Sequence, residues 1–280
     1  MINKKIKKNI FKRASLCRHF EQNVYKCLEK KIIRIPVYLS SGQEFISSTL
    51  SEIILNILKV RPLIFAQHRC HATYLSFGGD ALKLIKELLG KKDGCAYGMG
   101  GSASIHSPEI KMYGHDGHMG TQVPIAVGAC FASKKPTIVF LGDAAAEEDY
   151  VMSALGWAST KKLPILFIVE DNNLSILTEK KVRRNWSMHK LARSLNVNGY
   201  NITDNPNEII KYKSYFFKKP TLLNINTNRL YWHSGAGKDS ENIFDRYVYE
   251  LKKMGTEAEK IDLEIKKKVD ILWKKQLEKQ

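Results

Sequence analysis

Residues 136–173 read PTIVFLGDAAAEEDYVMSALGWASTKKLPILFIVEDNN. This segment contains two continuous apolar runs, at 136–141 and 163–169, of the length and type found in fully buried strands. The residues between them, through about Lys161, predict a helix, and a strand–helix–strand unit makes its two strands parallel with a right-handed crossover. We therefore expect an α/β fold with an open, mostly parallel sheet and helices on both faces.

The flanking sequence adds elements of the same kind. Apolar spacing predicts the following helices and strands: helices over 44–60, 81–90, 121–134 and 187–195, and strands over 197–201 and 221–227. The stretch from Gly90 to Gly120 differs, because it contains eight glycines and predicts a long loop. Long loops inside compact domains are uncommon and are usually functional, so we expect this one to contribute to a site.

The two ends of the chain are basic or charged and helical in pattern. We expect a basic helical lead-in over 1–34, a charged helical tail over 242–280 and a single domain over 1–280. The formal net charge is +17, but the excess is dispersed and mostly lysine. Charge runs of this kind usually lie on solvated helix faces.

Cysteine usage and hydropathy indicate the compartment. Five cysteines without a C-x-x-C pair argue against a disulfide framework or a zinc site and favour reducing conditions. The basic N-terminus is not followed by the apolar region of a signal peptide, and the apolar runs reach only strand length. We expect a soluble, cytoplasmic protein.

Polar residues follow both strands of the central unit. Gly142 and Asp143 end the first strand, and Asn172 ends the second. Ligands bind at the carboxyl ends of parallel strands, so one crossover helix brings these residues to the same rim. Carboxylate, amide and carbonyl oxygens, completed by phosphate and water, suit Mg²⁺, and a helix that starts after Asp143 would offer free N–H groups to phosphate. Gly142-Asp143 alone and Asn172-Asn173 alone are also typical of ordinary turns. The prediction therefore rests on their occurrence together, at strand ends one crossover apart.

Several ordered motifs resemble one protein family. Residues 142–178 are similar to the thiamine-diphosphate motif, in which Gly-Asp-Gly is followed one crossover later by Asn-Asn. The closer resemblance, over roughly 35–280, is to the α subunit of the first component of 2-oxo acid dehydrogenases of the pyruvate, acetoin and branched-chain types. It rests on these segments: YLSSGQE at 38–44, QHRCHA at 67–72, GCAYGMGGSASIHSP at 94–108, YGHDGHMGTQVPIAVG at 113–128 and RLYWHSG at 229–235.

The resemblance implies thiamine diphosphate and Mg²⁺ as cofactors. It implies three metal ligands: Asp143, Asn172 and the carbonyl of Leu174. It implies cofactor contacts from the following residues: His68, Arg69, Gly117, Met119, Gly142, Asp143, Ala144, Ala145, Asn172 and Ile176. It assigns three residues to the reacting end: His71, His233 and Ser234. If the order of the motifs is disregarded, each residue also has an ordinary interpretation. Arg69 would be a surface arginine, the histidines would be structural residues, and Met119 and Ile176 would be apolar core residues.

Some positions depart from the family pattern. Ala144 stands where the motif has glycine, and Glu147 and Glu148 replace an Asn-Gln or Ser-Glu pair. Tyr38 and Tyr231 stand where many members have histidines on the substrate side. These departures leave the cofactor prediction intact and bear on the identity of the substrate and acceptor.

The family's activity is decarboxylation of a small 2-oxo acid, followed by transfer of the acyl group to an acceptor, by default on a lipoyl acyltransferase. The glutamate that activates the cofactor lies on a separate β subunit in two-chain members. The resemblance therefore implies an α₂β₂ heterotetramer and an isolated chain that is nearly inactive.

Two other interpretations stay open on the sequence. A thiamine-dependent carboligase, similar to half of a transketolase, would join an activated aldehyde to a sugar or aldehyde. A basic nucleic-acid-binding protein is supported only by the charge of +17, since no zinc finger, RNA-recognition signature or basic-aromatic ladder accompanies it.

Overall fold

The apolar runs of the central unit form parallel strands. The computed structural model describes residues 2–238 and 243–278. Its strands are β1 (Leu63–Phe65), β2 (Met112–Tyr113), β3 (Thr137–Gly142), β4 (Ile165–Asp171), β5 (Leu174–Ser175), β6 (Thr178–Glu179), β7 (Asn198–Thr203) and β8 (Thr221–Asn226). One sheet has the order β2-β1-β3-β4-β8-β7 with every neighbouring pair parallel, and β5 and β6 form a small antiparallel pair. The predicted open, mostly parallel sheet is confirmed.

Helices connect and cover the strands. They are α1 (Lys4–Glu29), α2 (Glu44–Ser51), α3 (His71–Ser76), α4 (Ala81–Leu88), α5 (Gln122–Ser133), α6 (Asp149–Thr160), α7 (Lys180–Arg183), α8 (Met188–Ser194), α9 (Pro206–Ile209), α10 (Arg246–Met254) and α11 (Thr256–Leu277). Helix α2 continues as a π-helical segment over Glu52–Ile57. Across residues 2–238 and 243–278, no helix combines the length and apolar character needed to cross a membrane.

Two apolar layers cover the sheet. Ile138 and Phe140 of β3 pack into a layer with buried residues of α1, α2, α4 and α11. Val139 and Leu141 of the same strand pack into the other layer, with α5, α6 and α8. Successive side chains of a strand point to opposite faces, so a strand covered on both faces must be apolar at every position. This explains the continuous apolar run and confirms the helices on both faces.

Helix α1 is part of the core, which corrects the expectation of a lead-in. Phe11 and Phe20 are fully buried, and the ring of Phe20 lies 5.4 Å from that of Trp273 in α11. His19 Nε2 lies 2.7 Å from a carboxylate oxygen of Asp262, also in α11. The lysines of α1 are exposed or half-buried, whereas its inner side, which includes the buried Arg18, packs on α2, α3 and α11. Positions 1, 239–242, 279 and 280 of the predicted segments lie outside the described residues.

Two local predictions differ in part from the structure. The loop predicted from Gly90 to Gly120 is irregular over most of its length, but it contains the two-residue β2, which pairs with β1 at one edge of the sheet. The helix expected directly after Asp143 begins only at Asp149, and a short 3₁₀ turn over Ala145–Glu147 comes before it. The free N–H groups nearest to Asp143 therefore belong to that turn and not to a long helix.

Candidate functional site

A cavity opens at the carboxyl ends of the central strands. It is lined by Gln67, His68, Arg69, Met119, Gly142, Asp143, Ala144, Ala145, Glu148, Asn172, Leu174, Ser175, Ile176, Arg229 and His233. These residues come from the ends of β1, β3 and β4 and from three loops. This is the position at which open α/β sheets bind ligands.

Side-chain oxygens of Asp143 and Asn172 lie at one end of the cavity, which we call the strand end. Asp143 directly follows β3 and is 2% exposed. Asn172 follows β4, the neighbouring strand, as the sequence predicts. Its amide donates to Oε1 of Gln43 at 3.0 Å, and its Oδ1 accepts from the N–H of Leu174 at 3.1 Å. The Asn172 side chain is thereby held with its oxygen toward the start of the β5–β6 hairpin.

A cation already contacts the Asp143 carboxylate. Arg183 of α7 donates from Nη2 to Oδ2 of Asp143 at 2.5 Å, and the same nitrogen lies 3.1 Å from Glu147. Arg184 donates to the backbone carbonyl of Asp143 at 3.3 Å. Burial and the nearby Asp171 raise the pKa of Asp143, while Arg183 acts in the opposite direction. The strand end therefore stabilises a positive charge beside the carboxylate. Sequence reasoning missed Arg183, because nothing local links it to Asp143, 40 positions earlier.

The oxygens of Asp143 and Asn172 fit a metal ion whose remaining coordination positions are filled by a bound ligand. Among residues 2–238 and 243–278, no group of three or more His, Cys, Asp or Glu side chains could hold a metal ion by itself. One carboxylate at Asp143 and one amide oxygen at Asn172 match the sparse protein coordination of Mg²⁺, which takes its other oxygens from phosphate and water. The guanidinium of Arg183 shows that a cation is accommodated at that carboxylate.

Three rings meet at the other end of the cavity, which we call the ring end. The ring of Tyr38 lies edge-on to His68 at 4.9 Å and to His233 at 5.3 Å, and the two histidine rings lie 5.2 Å apart. Nε2 of His68 is buried and has no hydrogen-bond partner among the described residues. Burial, and then the adjacent Arg69, hold the pKa of His68 well below its usual range, so the ring is neutral near pH 7. A buried ring nitrogen without a partner is costly, and a bound ligand would supply the missing bond.

Arg69 connects the segments that form the ring end. Its Nη1 donates to the carbonyl of Leu39 at 2.7 Å, and its Nη2 donates to the carbonyl of His233 at 3.2 Å. A guanidinium offers its N–H donors in a fixed plane, so these two bonds fix its orientation. Arg69 therefore holds the loop that carries His233 against the cavity.

Gln67 and Glu170 form a buried pair beneath the cavity. The Gln67 amide donates to the Glu170 carboxylate, and burial raises the pKa of Glu170 to about 7. Neither residue was predicted from the sequence, although Gln67 opens the quoted QHRCHA segment. Arg229, which opens RLYWHSG and also lines the cavity, was missed in the same way.

The backbone after Asn172 is strained. Asn173 has φ of 67° and Ile176 has φ of 54°. The left-handed region is uncommon for residues other than glycine and is a true outlier for a β-branched side chain. Ile176 is also 58% exposed while lining the cavity. Strain of this kind is characteristic of functional sites, which supports the predicted contact with a ligand.

Most predicted site residues line one cavity, but three do not. His71 is fully buried and bonds to Glu21 and Ser102. Gly117, with φ of 106°, lies in an exposed turn, and Ser234 adjoins His233 without lining the cavity. The expectation that His71 faces the reacting end is therefore corrected to a position behind the cavity wall. The proposed contacts of Gly117 and Ser234 stay predictions.

Comparison with known proteins gives the family. Residues 12–269 match the family model described as dehydrogenase E1 component. The chain belongs to that family. It is 29% identical over 239 residues to pyruvate dehydrogenase E1 component subunit alpha-1, mitochondrial, of Oryza sativa subsp. japonica, covering 80% of this chain and 59% of that protein. It is 30% identical over 243 residues to pyruvate dehydrogenase E1 component subunit alpha of Rickettsia prowazekii, covering 80% and 72%.

The family resemblance predicted from the motifs is thereby confirmed. The chain spans about three fifths of the length of the rice relative, since the match covers 59% of it. The fold is also that of a transketolase from Leishmania mexicana, with a TM-score of 0.59, 15% identity, and coverage of 94% of this chain and 46% of that one. At this identity the likeness concerns the fold alone.

Proposed function

We propose that this E1 family chain is the α subunit of a thiamine-diphosphate-dependent 2-oxo acid dehydrogenase, with Mg²⁺ bound at the strand end. The observation that carries the proposal is the pairing of two features in one cavity. The Asp143 carboxylate lies there beside the guanidinium of Arg183, and the buried Nε2 of His68 lacks a hydrogen-bond partner among the described residues. A ligand with a metal-bound diphosphate at one end and a polar ring at the other suits this combination.

Each end of the cavity would have its own role. Asp143, Asn172 and the carbonyl of Leu174 would hold Mg²⁺, and Arg69 would pair with the diphosphate, since arginine suits phosphate geometry. His68 would donate or accept one hydrogen bond through Nε2. When bound, thiamine diphosphate supplies the electron sink for decarboxylation, while the protein supplies orientation and electrostatics. Tyr38 and His233 would exclude water and orient the substrate at the ring end.

The reaction proposed is decarboxylation of a small 2-oxo acid and transfer of the acyl group to an acceptor. A β subunit would supply the activating glutamate in an α₂β₂ assembly, and the complex would be cytoplasmic. To test this, pyruvate decarboxylation is measured with the chain alone and with the chain co-expressed with a β subunit. We expect activity only in the complex. Decarboxylation at a normal rate by the chain alone would contradict the proposal.

The acceptor would be a lipoyl group carried by a lipoyl acyltransferase. The net charge of +17 favours an acidic partner, because complementary charge steers association. Activity with a lipoyl domain is therefore expected to fall steeply with salt, while activity with a small artificial electron acceptor stays nearly constant. A salt-insensitive rate with the lipoyl domain would contradict steering by charge.

Carbon–carbon ligation is a second candidate, supported by Tyr38 at a substrate-side position. Tyr38 packs between His68 and His233, and Tyr231 stacks on Tyr25 at 4.7 Å and so points away from the cavity lining. Product analysis with pyruvate decides between the two, with either a lipoyl or an aldehyde acceptor. Family membership favours the dehydrogenase over this alternative and over a nucleic-acid-binding protein.

A further inference from the structure

Three polar side chains from distant parts of the chain meet behind the cavity wall. Glu21 lies in α1, His71 begins α3, and Ser102 lies in the glycine-rich loop. Their exposed fractions are 0%, 0% and 2%. Nδ1 of His71 lies 3.0 Å from Oε2 of Glu21, and Nε2 of His71 lies 2.9 Å from Oγ of Ser102. We call these three side chains the buried triplet.

The hydrogen bonds of the triplet have one fully satisfied arrangement. Oγ of Ser102 accepts the backbone N–H of Tyr38 at 3.0 Å, so its own hydrogen is free to be donated to Nε2 of His71. Nδ1–H of His71 then donates to the Glu21 carboxylate. This order resembles a carboxylate–imidazole–hydroxyl triad. However, the hydroxyl is buried and bonded on both sides, so it does not reach a substrate.

Both ends of the triplet hold the same short segment. At one end Ser102 accepts from the N–H of Tyr38, and at the other Oε1 of Glu21 accepts from the N–H of Ser40 at 2.7 Å. The residue between them, Leu39, provides the carbonyl that accepts from Arg69 at 2.7 Å. The segment 38–40 thus carries the Tyr38 ring of the ring end and orients the Arg69 guanidinium.

The glycine-rich loop holds Ser102 in position through a second buried carboxylate. Glu87 of α4 is fully buried. Its Oε2 accepts from the N–H groups of Ala96 and Gly98 at 2.7 and 2.9 Å, and its Oε1 accepts from those of Gly100 and Gly101 at 2.8 and 3.1 Å. A carboxylate that accepts several backbone N–H groups forms strong, charge-assisted bonds. The loop is therefore a rigid support and not a mobile cover at Ser102.

We propose that Glu21, His71 and Ser102 are positioning residues, which fix the segment 38–40 so that Tyr38 and Arg69 face the cavity in one orientation. His71 therefore acts through its neighbours and does not touch the substrate. This inference rests on the proposed function, because the consequence of misplacing Arg69 is weaker binding of a diphosphate. Supporting groups of this kind commonly change affinity or activity by about 10–100-fold when removed.

The test compares two substitutions of serine by alanine in the same loop. Ser102→Ala removes the hydroxyl between His71 and Tyr38. Ser107→Ala is the matched control, because Ser107 is equally buried but donates to Glu109 and lies outside the triplet. Binding of thiamine diphosphate with Mg²⁺ to the complex of the chain with a β subunit is measured by tryptophan fluorescence, and folding by circular dichroism. We expect the dissociation constant to rise about tenfold for Ser102→Ala, less than twofold for Ser107→Ala, and to recover in Ser102→Thr.

Glu21→Gln provides an independent variant with unchanged shape. Its amide has one acceptor oxygen, so it cannot accept both from the N–H of Ser40 and from Nδ1–H of His71 as the carboxylate does, and the same tenfold loss is expected. Equal binding by Ser102→Ala and Ser107→Ala would overturn the inference, and so would failure of both Ser102→Ala and Glu21→Gln to fold. If the complex of the unchanged chain with a β subunit binds no thiamine diphosphate, the proposed function itself is wrong, so the two failures are distinguishable.

Discussion

The strand end and the ring end of the cavity are built in different ways. At the strand end, Asp143 and Asn172 follow neighbouring parallel strands, so the sheet itself sets their separation. At the ring end, Tyr38, His68 and His233 come from three loops, and buried polar contacts behind the wall hold them together. The strand end therefore depends on few residues with large individual effects. The ring end depends on many, each with a smaller effect.

The largest effect is expected for Asp143→Asn. This change keeps the shape and removes the charge that Mg²⁺ requires. Affinity for thiamine diphosphate with Mg²⁺ should fall by at least about 100-fold, more than the loss of a residue that only supports a metal ligand produces. Calorimetric titration measures it, with Asp116→Asn in the exposed turn as the control. Unchanged affinity would show that the Asp143 carboxylate does not bind the metal of the cofactor.

A smaller and opposite effect is expected for Arg183→Gln. Arg183 occupies the Asp143 carboxylate without the metal, so its removal should raise the affinity for Mg²⁺ with thiamine diphosphate by roughly tenfold, equivalent to about 1.4 kcal/mol. The ligand-free chain should lose about 1–3 kcal/mol of stability, because the buried carboxylate loses its partner. Titration and urea unfolding check the two changes. Weaker binding would mean that Arg183 helps to hold the ligand.

At the ring end, Tyr38→Ala should separate catalysis from cofactor binding. The ring packs on His68 and His233, and each such contact contributes about 0.5–1.5 kcal/mol. In the complex with a β subunit, kcat/KM should fall roughly tenfold, since this corresponds to about 1.4 kcal/mol. Cofactor affinity should change little, because the backbone of residues 38–40 is unaltered. Equal losses in kcat/KM and in cofactor affinity would contradict the distinction between the strand end and the ring end.

The smallest effect is a pH dependence of stability that originates from His68. Its pKa is lowered in the folded chain by burial and Arg69, so below an unfolded pKa of about 6.5 the unfolded state binds more protons. Stability is therefore lost as pH falls from about 6.5 toward the folded pKa, by up to about 1.4 kcal/mol per pH unit. His68→Gln should reduce this slope in urea unfolding between pH 6.5 and 5. If the slope is unchanged in His68→Gln, the pH dependence of stability comes from other titratable groups.

The same contrast explains how much of the site could be predicted from the sequence. Asp143 and Asn172 were predictable, because strand ends one crossover apart meet at one rim. Arg183 was not, since its ion pair joins positions 40 residues apart through a loop conformation that no local pattern specifies. The position of His71 was misjudged for a related reason. The QHRCHA motif gives its spacing, but only the packing of α1 against α3 shows that its ring points to Glu21.

The fold shows the same limit on a larger scale. Continuous apolar runs predicted β3 and β4 because strands covered on both faces must be apolar throughout. The three-residue β1 and two-residue β2 carry too few residues to show a period. The lysines at the start of α1 predict a basic lead-in, whereas the apolar side of the helix, with Phe11 and Phe20, lies in the core.

The most direct measurement is calorimetric titration of the full chain with thiamine diphosphate, with and without Mg²⁺, and with unphosphorylated thiamine. If Asp143 and Asn172 hold a metal-bound diphosphate, binding of thiamine diphosphate will be saturable and will require Mg²⁺, and thiamine will show no comparable binding. Binding that is independent of Mg²⁺, or equal binding of both compounds, would contradict this role of the two residues.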